Sequence, residues 1–97
     1  MTLDKKPLKE AVDLWGDKQI DVLIEEMAEL TQALCKRKRN RATNIPEEIA
    51  DVYIMLEQVV MLLGIERELE LEIGVKMRML THKIKIEKEK NSDNQNP

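Results

Sequence analysis

Six carboxylates stand in two tight groups in this 97-residue chain: Glu25, Glu26 and Glu29, then Glu47, Glu48 and Asp51. Carboxylates grouped in this way can hold a hard cation through oxygen, and they can accept or deliver a proton. Charge on a helix is usually solvated, so position relative to the apolar residues decides between a site and an ordinary surface.

The elements that must position them are helices. Around the first group, Ile20, Leu23, Met27, Leu30 and Leu34 recur in steps of three and four, the period of a packed helix face, with Asp17 as the expected cap. Around the second group, Ile49, Val52, Leu56, Val59, Val60 and Leu63 repeat the pattern. That run opens on Asn44-Ile45-Pro46-Glu47, a capping box with proline in the first turn, and closes at Gly64, a left-handed stop. Projected at about 100° per residue, Glu26 falls at the edge of the first stripe, with Glu29 one step further round. Glu25 points away. Glu48 and Asp51 fall on the flank of the second stripe, on the side of Met55, Gln58 and Leu62. Each helix therefore carries an i, i+3 carboxylate pair at a core boundary.

Two further helices are predicted. A short one from Leu3 to Trp15 is led in by Pro7 and ended by Gly16, and a last one follows Leu69, Ile73, Met77, Leu80 and Ile84, with a kink or break expected at Gly74. From Lys88 to Pro97 no apolar residue occurs, which predicts a disordered polar tail after one domain over residues 1–87. The expected class is all-α, a helical bundle of about four helices per protomer. Trp15 and Tyr53 are the only aromatics, so the core must be aliphatic and rich in methionine. A helical chain this short buries little of its own surface, and completion of the bundle by homo-oligomerisation is expected.

Composition also excludes partners. A net charge of −3, with basic residues dispersed except at Lys36 to Arg41, is no footprint of a nucleic-acid binder. That basic run reads as a solvated helix end suited to the C-terminal dipole, or as a patch that steers an anion. The lone Cys35 rules out an internal disulfide and has no histidine nearby in sequence to make it a nucleophile. No apolar run is long enough to span a membrane and no signal pattern opens the chain, so a cytoplasmic location is expected.

If the two carboxylate helices pack antiparallel, Glu26, Glu29, Glu48 and Asp51 converge. Two like charges at about 4 Å repel by roughly 4 kcal/mol at an effective dielectric of about 20, so such a cluster must take up protons or recruit a cation. An all-oxygen set suits Mg²⁺ or Mn²⁺ and not zinc, which favours the Cys and His this chain barely has. Magnesium held this way, with positions left open, suits phosphate chemistry. Glu25 is then the local candidate to accept the proton of an attacking water, beside Glu26 in the catalytic group.

The run Glu25-Glu26-Met27-Ala28-Glu29-Leu30, followed by Glu48-Ile49-Ala50-Asp51-Val52, resembles the EExxE and ExxD motifs of the MazG-like all-α nucleoside triphosphate pyrophosphohydrolases. Trp15-Gly16-Asp17-Lys18-Gln19-Ile20 and Pro46-Glu47-Glu48 also look like the short, single-domain members, so the resemblance spans residues 8 to 85. It implies cleavage between the α- and β-phosphates of a (deoxy)nucleoside triphosphate, giving the monophosphate and pyrophosphate, often to clear aberrant or surplus nucleotides. It implies Mg²⁺ on Glu26, Glu29, Glu48 and Asp51, the same four that the helix projection selects. It also implies dimers or dimers of dimers, and a cation on the last helix that binds phosphate, for which Lys76 and Arg78 are the nearest equivalents.

Other residues carry two readings each. Trp15 is a packing anchor or a ring that stacks on a nucleobase, and Gln19, near the edge that bears Glu26, can hydrogen-bond a base or ribose. Tyr53 is expected at a helix interface and His82 in solvent. Against the enzyme stand two alternatives, a non-catalytic helical dimerisation module and a nucleotide sensor without turnover.

Overall fold

The structure, a computed structural model, describes residues 2–95, and side chains as far as residue 92. Four helices follow one another: α1 (Lys5–Trp15), α2 (Lys18–Lys38), α3 (Ile45–Leu63) and α4 (Glu66–Gln95), with no strand among the described residues. The class is all-α. No described helix is long and apolar enough to cross a membrane. The chain divides into two units, Met1–Gly64 and Ile65–Pro97, where the sequence predicts one domain over 1–87.

Local chemistry sets the helix ends. Asp4 opens α1 by accepting a hydrogen bond from the Lys6 backbone N–H at 3.0 Å, and Pro7 sits in the first turn, where a missing N–H costs nothing. Gly16 closes α1 at φ +53°, a conformation that a side chain would oppose. Asp17, expected to cap α2 through its side chain, forms no such bond. It lies in the right-handed helical region, and its carbonyl and that of Gly16 already accept from Ile20 and Gln19, so the helix starts as a tight backbone turn.

At the far end of α2, Asn40 takes φ +58° and the Arg41 N–H reaches the Lys36 carbonyl at 2.9 Å, a Schellman closure that reverses the chain. Asn44 accepts from the Glu47 N–H at 3.2 Å. The Glu47 carboxylate in turn accepts from the Asn44 side-chain amide at 3.0 Å, so the expected capping box closes through that amide. Gly64 ends α3 in the left-handed region, as expected.

Within the first unit α3 packs against both α1 and α2. Leu8, Ala11, Leu23, Ala33 and Val52 form the buried apolar core. On α2 the inward face runs Gln19, Leu23, Glu26, Leu30 and Ala33, rotated from the expected stripe, and Met27 and Leu34 of that stripe are exposed. On α3 the inward face carries Glu48, Asp51, Val52, Met55 and Gln58, while Ile49, Leu56 and Leu63 are 45–51% exposed. The apolar periodicity therefore marked the inward face in part: Leu23 and Val52 are in the core and Ile20, Leu30, Val59 and Val60 are half-buried, while Met27, Leu34, Ile49, Leu56 and Leu63 lie on the side this unit leaves exposed.

In the second unit α4 runs unbroken through Gly74, because a single glycine among good helix formers costs only about 1 kcal/mol. It continues to Gln95. The helix thus covers residues 88–95 of the expected tail, since no Gly or Pro interrupts the chain after Gly74 before that point, while 96–97 lie outside the described residues. Leu69, Ile73, Met77, Leu80 and Ile84 recur along it and are exposed.

Candidate functional site

Helices α2 and α3 are joined by only six residues, Arg39 to Asn44, which forces them antiparallel and fixes which residues meet. Gln19 meets Gln58. Seven residues further along α2 stands Glu26, and seven residues back along α3 stands Asp51, whose charges act on each other. Three residues on, Glu29 acts on Glu48. Seven and three are both helical repeats, so one register carries all three pairs along a single seam.

One oxygen from each of Glu26, Glu29 and Glu48 lies within 4.8 Å of the other two. Glu26 and Glu48 are half-buried, Glu29 is exposed, and Asp51 is half-buried beside them. Glu26 Oε2 and Glu48 Oε2 are buried and accept no hydrogen bond from any described residue. A buried anionic oxygen without a donor is costly unless something positive meets it.

The electrostatics carry the same strain. Desolvation pushes the Glu26 carboxyl above the ordinary glutamate value, and the charges of Glu29, Asp51 and Glu48, with a hydrogen bond to Glu29, push it further. Glu48 is raised for the same reasons, by desolvation and then by Glu29, Asp51 and Glu47, and Lys36 partly offsets the shift. Lys36, read from sequence as part of a basic helix end or an anion-steering patch, therefore has an electrostatic partner in Glu48.

Glu26, Glu29 and Glu48 could hold a divalent cation on chemical grounds, and Asp51 is not among the oxygens that converge. All donors are carboxylate oxygens, two of them buried and unmatched by any described residue, and the mutual repulsion that raises Glu26 and Glu48 is what a cation would relieve.

The remaining site residues fall in different places. Glu25 is exposed and its oxygens are not among the three that converge. Gln19 is 2% exposed and Trp15 is 55% exposed, and both line a cavity of about 350 Å³ with Lys18, Val22, Met55 and Gln58. Lys76 and Arg78 lie exposed on α4, in the second unit. Gln58 was missed as a site residue, although its seven-residue spacing from Asp51 on the carboxylate flank was the available signal. Compared with protein-family models, with curated proteins and with solved structures, the chain matches none.

Proposed function

We propose that the chain is a MazG-like, Mg²⁺-dependent nucleoside triphosphate pyrophosphohydrolase that converts (deoxy)nucleoside triphosphates to the monophosphate and pyrophosphate. The observation that carries this reading is the convergence of Glu26, Glu29 and Glu48, with Asp51 acting on Glu26 and Glu48, and two buried oxygens that accept no hydrogen bond from any described residue. The order of the EExxE and ExxD motifs supplies the reaction class by resemblance.

In this reading Glu26, Glu29, Glu48 and Asp51 hold the cation, which is Mg²⁺ with Mn²⁺ as a substitute. When bound, it supplies charge to neutralise phosphate oxygens and to acidify a water. Glu25, one residue from Glu26 and outside the converging group, stays free to accept the proton of the attacking water. Lys76 and Arg78 bind phosphate in the resembled family's arrangement. Trp15 and Gln19 serve the nucleoside end of the substrate. The role is clearance of surplus or aberrant nucleotides in the cytoplasm.

The protein acts as a homo-oligomer. Ile49, Leu56 and Leu63 repeat every seven residues on an exposed face of α3, and Met27 and Leu34 do so on α2. Burial of such side chains stabilises by about 1.5–3 kcal/mol each, and the small buried core of the first unit leaves that gain unclaimed within that unit. The same exposed stripes favour the second reading, a helical dimerisation module without turnover. Incubation with a panel of ribo- and deoxyribonucleoside triphosphates and Mg²⁺, with and without EDTA, separates the two. Metal-dependent monophosphate and pyrophosphate support the enzyme, and no cleavage of any triphosphate at high protein concentration removes it.

A further inference from the structure

Among its described residues the second unit holds a single element, α4, which has no other helix of that unit to pack on. Leu69, Ile73, Met77, Leu80 and Ile84 advance along it in steps of four, four, three and four, so they share one face, and all five are exposed. Leu71, Val75, Met79 and Ile86 form a second exposed stripe, offset from the first by two residues and so about 200° round the helix. A helix that lies on a membrane has one apolar face and one charged face. Two opposed apolar stripes call for protein instead.

The charge along α4 narrows the choice of partner. Residues 66–72 carry four glutamates against Arg67, a net charge of −3, whereas residues 76–90 carry six lysines and arginines against Glu87 and Glu89, a net charge of +4. Such a helix attracts a copy of itself that runs antiparallel and repels one that runs parallel in register. The first stripe fits the same direction. With Leu69 opposite Ile84 of a second copy, Ile73 falls opposite Leu80 and Met77 lies beside its own counterpart, so every layer is apolar. In that register Glu68 stands level with Lys85 of the second copy, and Glu70 with Lys83.

We infer that the face bearing Leu69, Ile73, Met77, Leu80 and Ile84 is an interface for the same face of α4 in a second copy of this chain, with the two helices antiparallel about a two-fold axis. The inference rests on the proposal that the chain self-associates, and it adds a second contact with a defined polarity. From Leu69 to Ile84 the stripe runs about 22 Å, little more than two heptads, where a coiled coil that stands alone needs about three to four. The α4 pair therefore closes between copies that the α3 stripe has already brought together, where the local concentration is high.

Disulfide trapping tests the polarity. Cys35→Ser/Leu69→Cys and Cys35→Ser/Ile84→Cys each leave one thiol in the full chain, and the two are oxidised separately and as a mixture. The mixture gives a dimer joined from residue 69 to residue 84, and neither variant alone gives one. Glu68→Lys/Glu70→Lys in the first variant lowers the yield, and Lys83→Glu/Lys85→Glu in the second restores it. A spin label on Cys35→Ser/Ser92→Cys, which leaves both stripes and every charge of α4 in place, lies about 45 Å along the pair from its counterpart. Cross-links of each variant to itself, or labels side by side, mean a parallel pair and overturn the inference. A yield indifferent to the charges overturns it as well. Light scattering separates the remaining outcomes: an oligomer with no cross-link rejects the α4 contact alone, and a monomer at every concentration rejects self-association with it.

Discussion

Glu26 and Asp51 face each other across α2 and α3 in the same register that joins Gln19 to Gln58, seven residues away on both helices. The seam is therefore polar at two levels, with an amide pair at one and a carboxylate cluster at the other. A protomer that selected only for stability would fill both levels with leucine, because buried charge and unmatched amides stabilise less than packed apolar side chains.

Removal of a carboxylate from the cluster has two effects of opposite sign. Glu26→Gln or Asp51→Asn deletes a metal ligand and lowers turnover by about 100-fold or more, as loss of a major electrostatic contribution does. Each substitution also relieves repulsion, so the metal-free variant melts at or above the temperature of the metal-free unsubstituted protein. Thermal denaturation beside a rate assay checks both, and retained turnover in both variants contradicts the metal assignment.

Metal itself stabilises the fold. A cation at 100 times its dissociation constant adds about 2.7 kcal/mol, which raises the melting temperature by roughly 10 °C or more for a chain of this size. EDTA reverses the gain. An unchanged melting temperature with millimolar Mg²⁺ speaks against a built cation site.

The pH dependence follows from the raised Glu26 and Glu48 carboxyls. In the unfolded chain glutamate titrates near about 4.3, and in the fold both groups hold their protons to higher pH. Between those values the folded state binds more protons, so the stability of the metal-free protein falls as pH rises through the folded values. Mg²⁺ removes that fall. Melting curves across this range, with Glu48→Gln as the variant that flattens the slope, measure it.

Much of this arrangement is legible in the sequence, for reasons that differ by residue. The i, i+3 spacing of Glu26 with Glu29 and of Glu48 with Asp51 places each pair on one face of its helix, and the short link between α2 and α3 turns the faces toward each other. The apolar stripes gave the correct helical period and part of the inward face, through Leu23 and Val52, but also took in Met27, Leu34, Ile49, Leu56 and Leu63, which are exposed, since apolar periodicity marks every face that is to be buried, within a protomer or between copies. The Asp17 cap failed because the two-residue link leaves the α2 start to backbone bonds. Gln58 escaped notice because a lone glutamine on a helix is ordinary until its partner across the seam is known.

Glu25→Gln separates proton transfer from metal binding. The side chain stands outside the converging oxygens, so the variant keeps its Mg²⁺-induced rise in melting temperature and loses about 100-fold or more in kcat, the usual contribution of a general base. Undiminished kcat assigns the proton to another group.

Self-association depends on the exposed α3 stripe. Ile49→Asp with Leu56→Asp removes two side chains worth about 1.5–3 kcal/mol each on burial, which weakens the assembly by roughly 100-fold or more. Light scattering after size-exclusion chromatography should show monomer at concentrations where the unsubstituted chain is oligomeric. An unchanged mass puts the interface elsewhere.

The most direct single measurement is phosphorus NMR of a nucleoside triphosphate incubated with the full chain and Mg²⁺, run beside the Asp51→Asn variant. If the carboxylate seam is a metal centre for pyrophosphohydrolysis, monophosphate and pyrophosphate accumulate with the unsubstituted protein and are nearly absent with the variant. Diphosphate and orthophosphate as products, or equal rates from the two proteins, would contradict it.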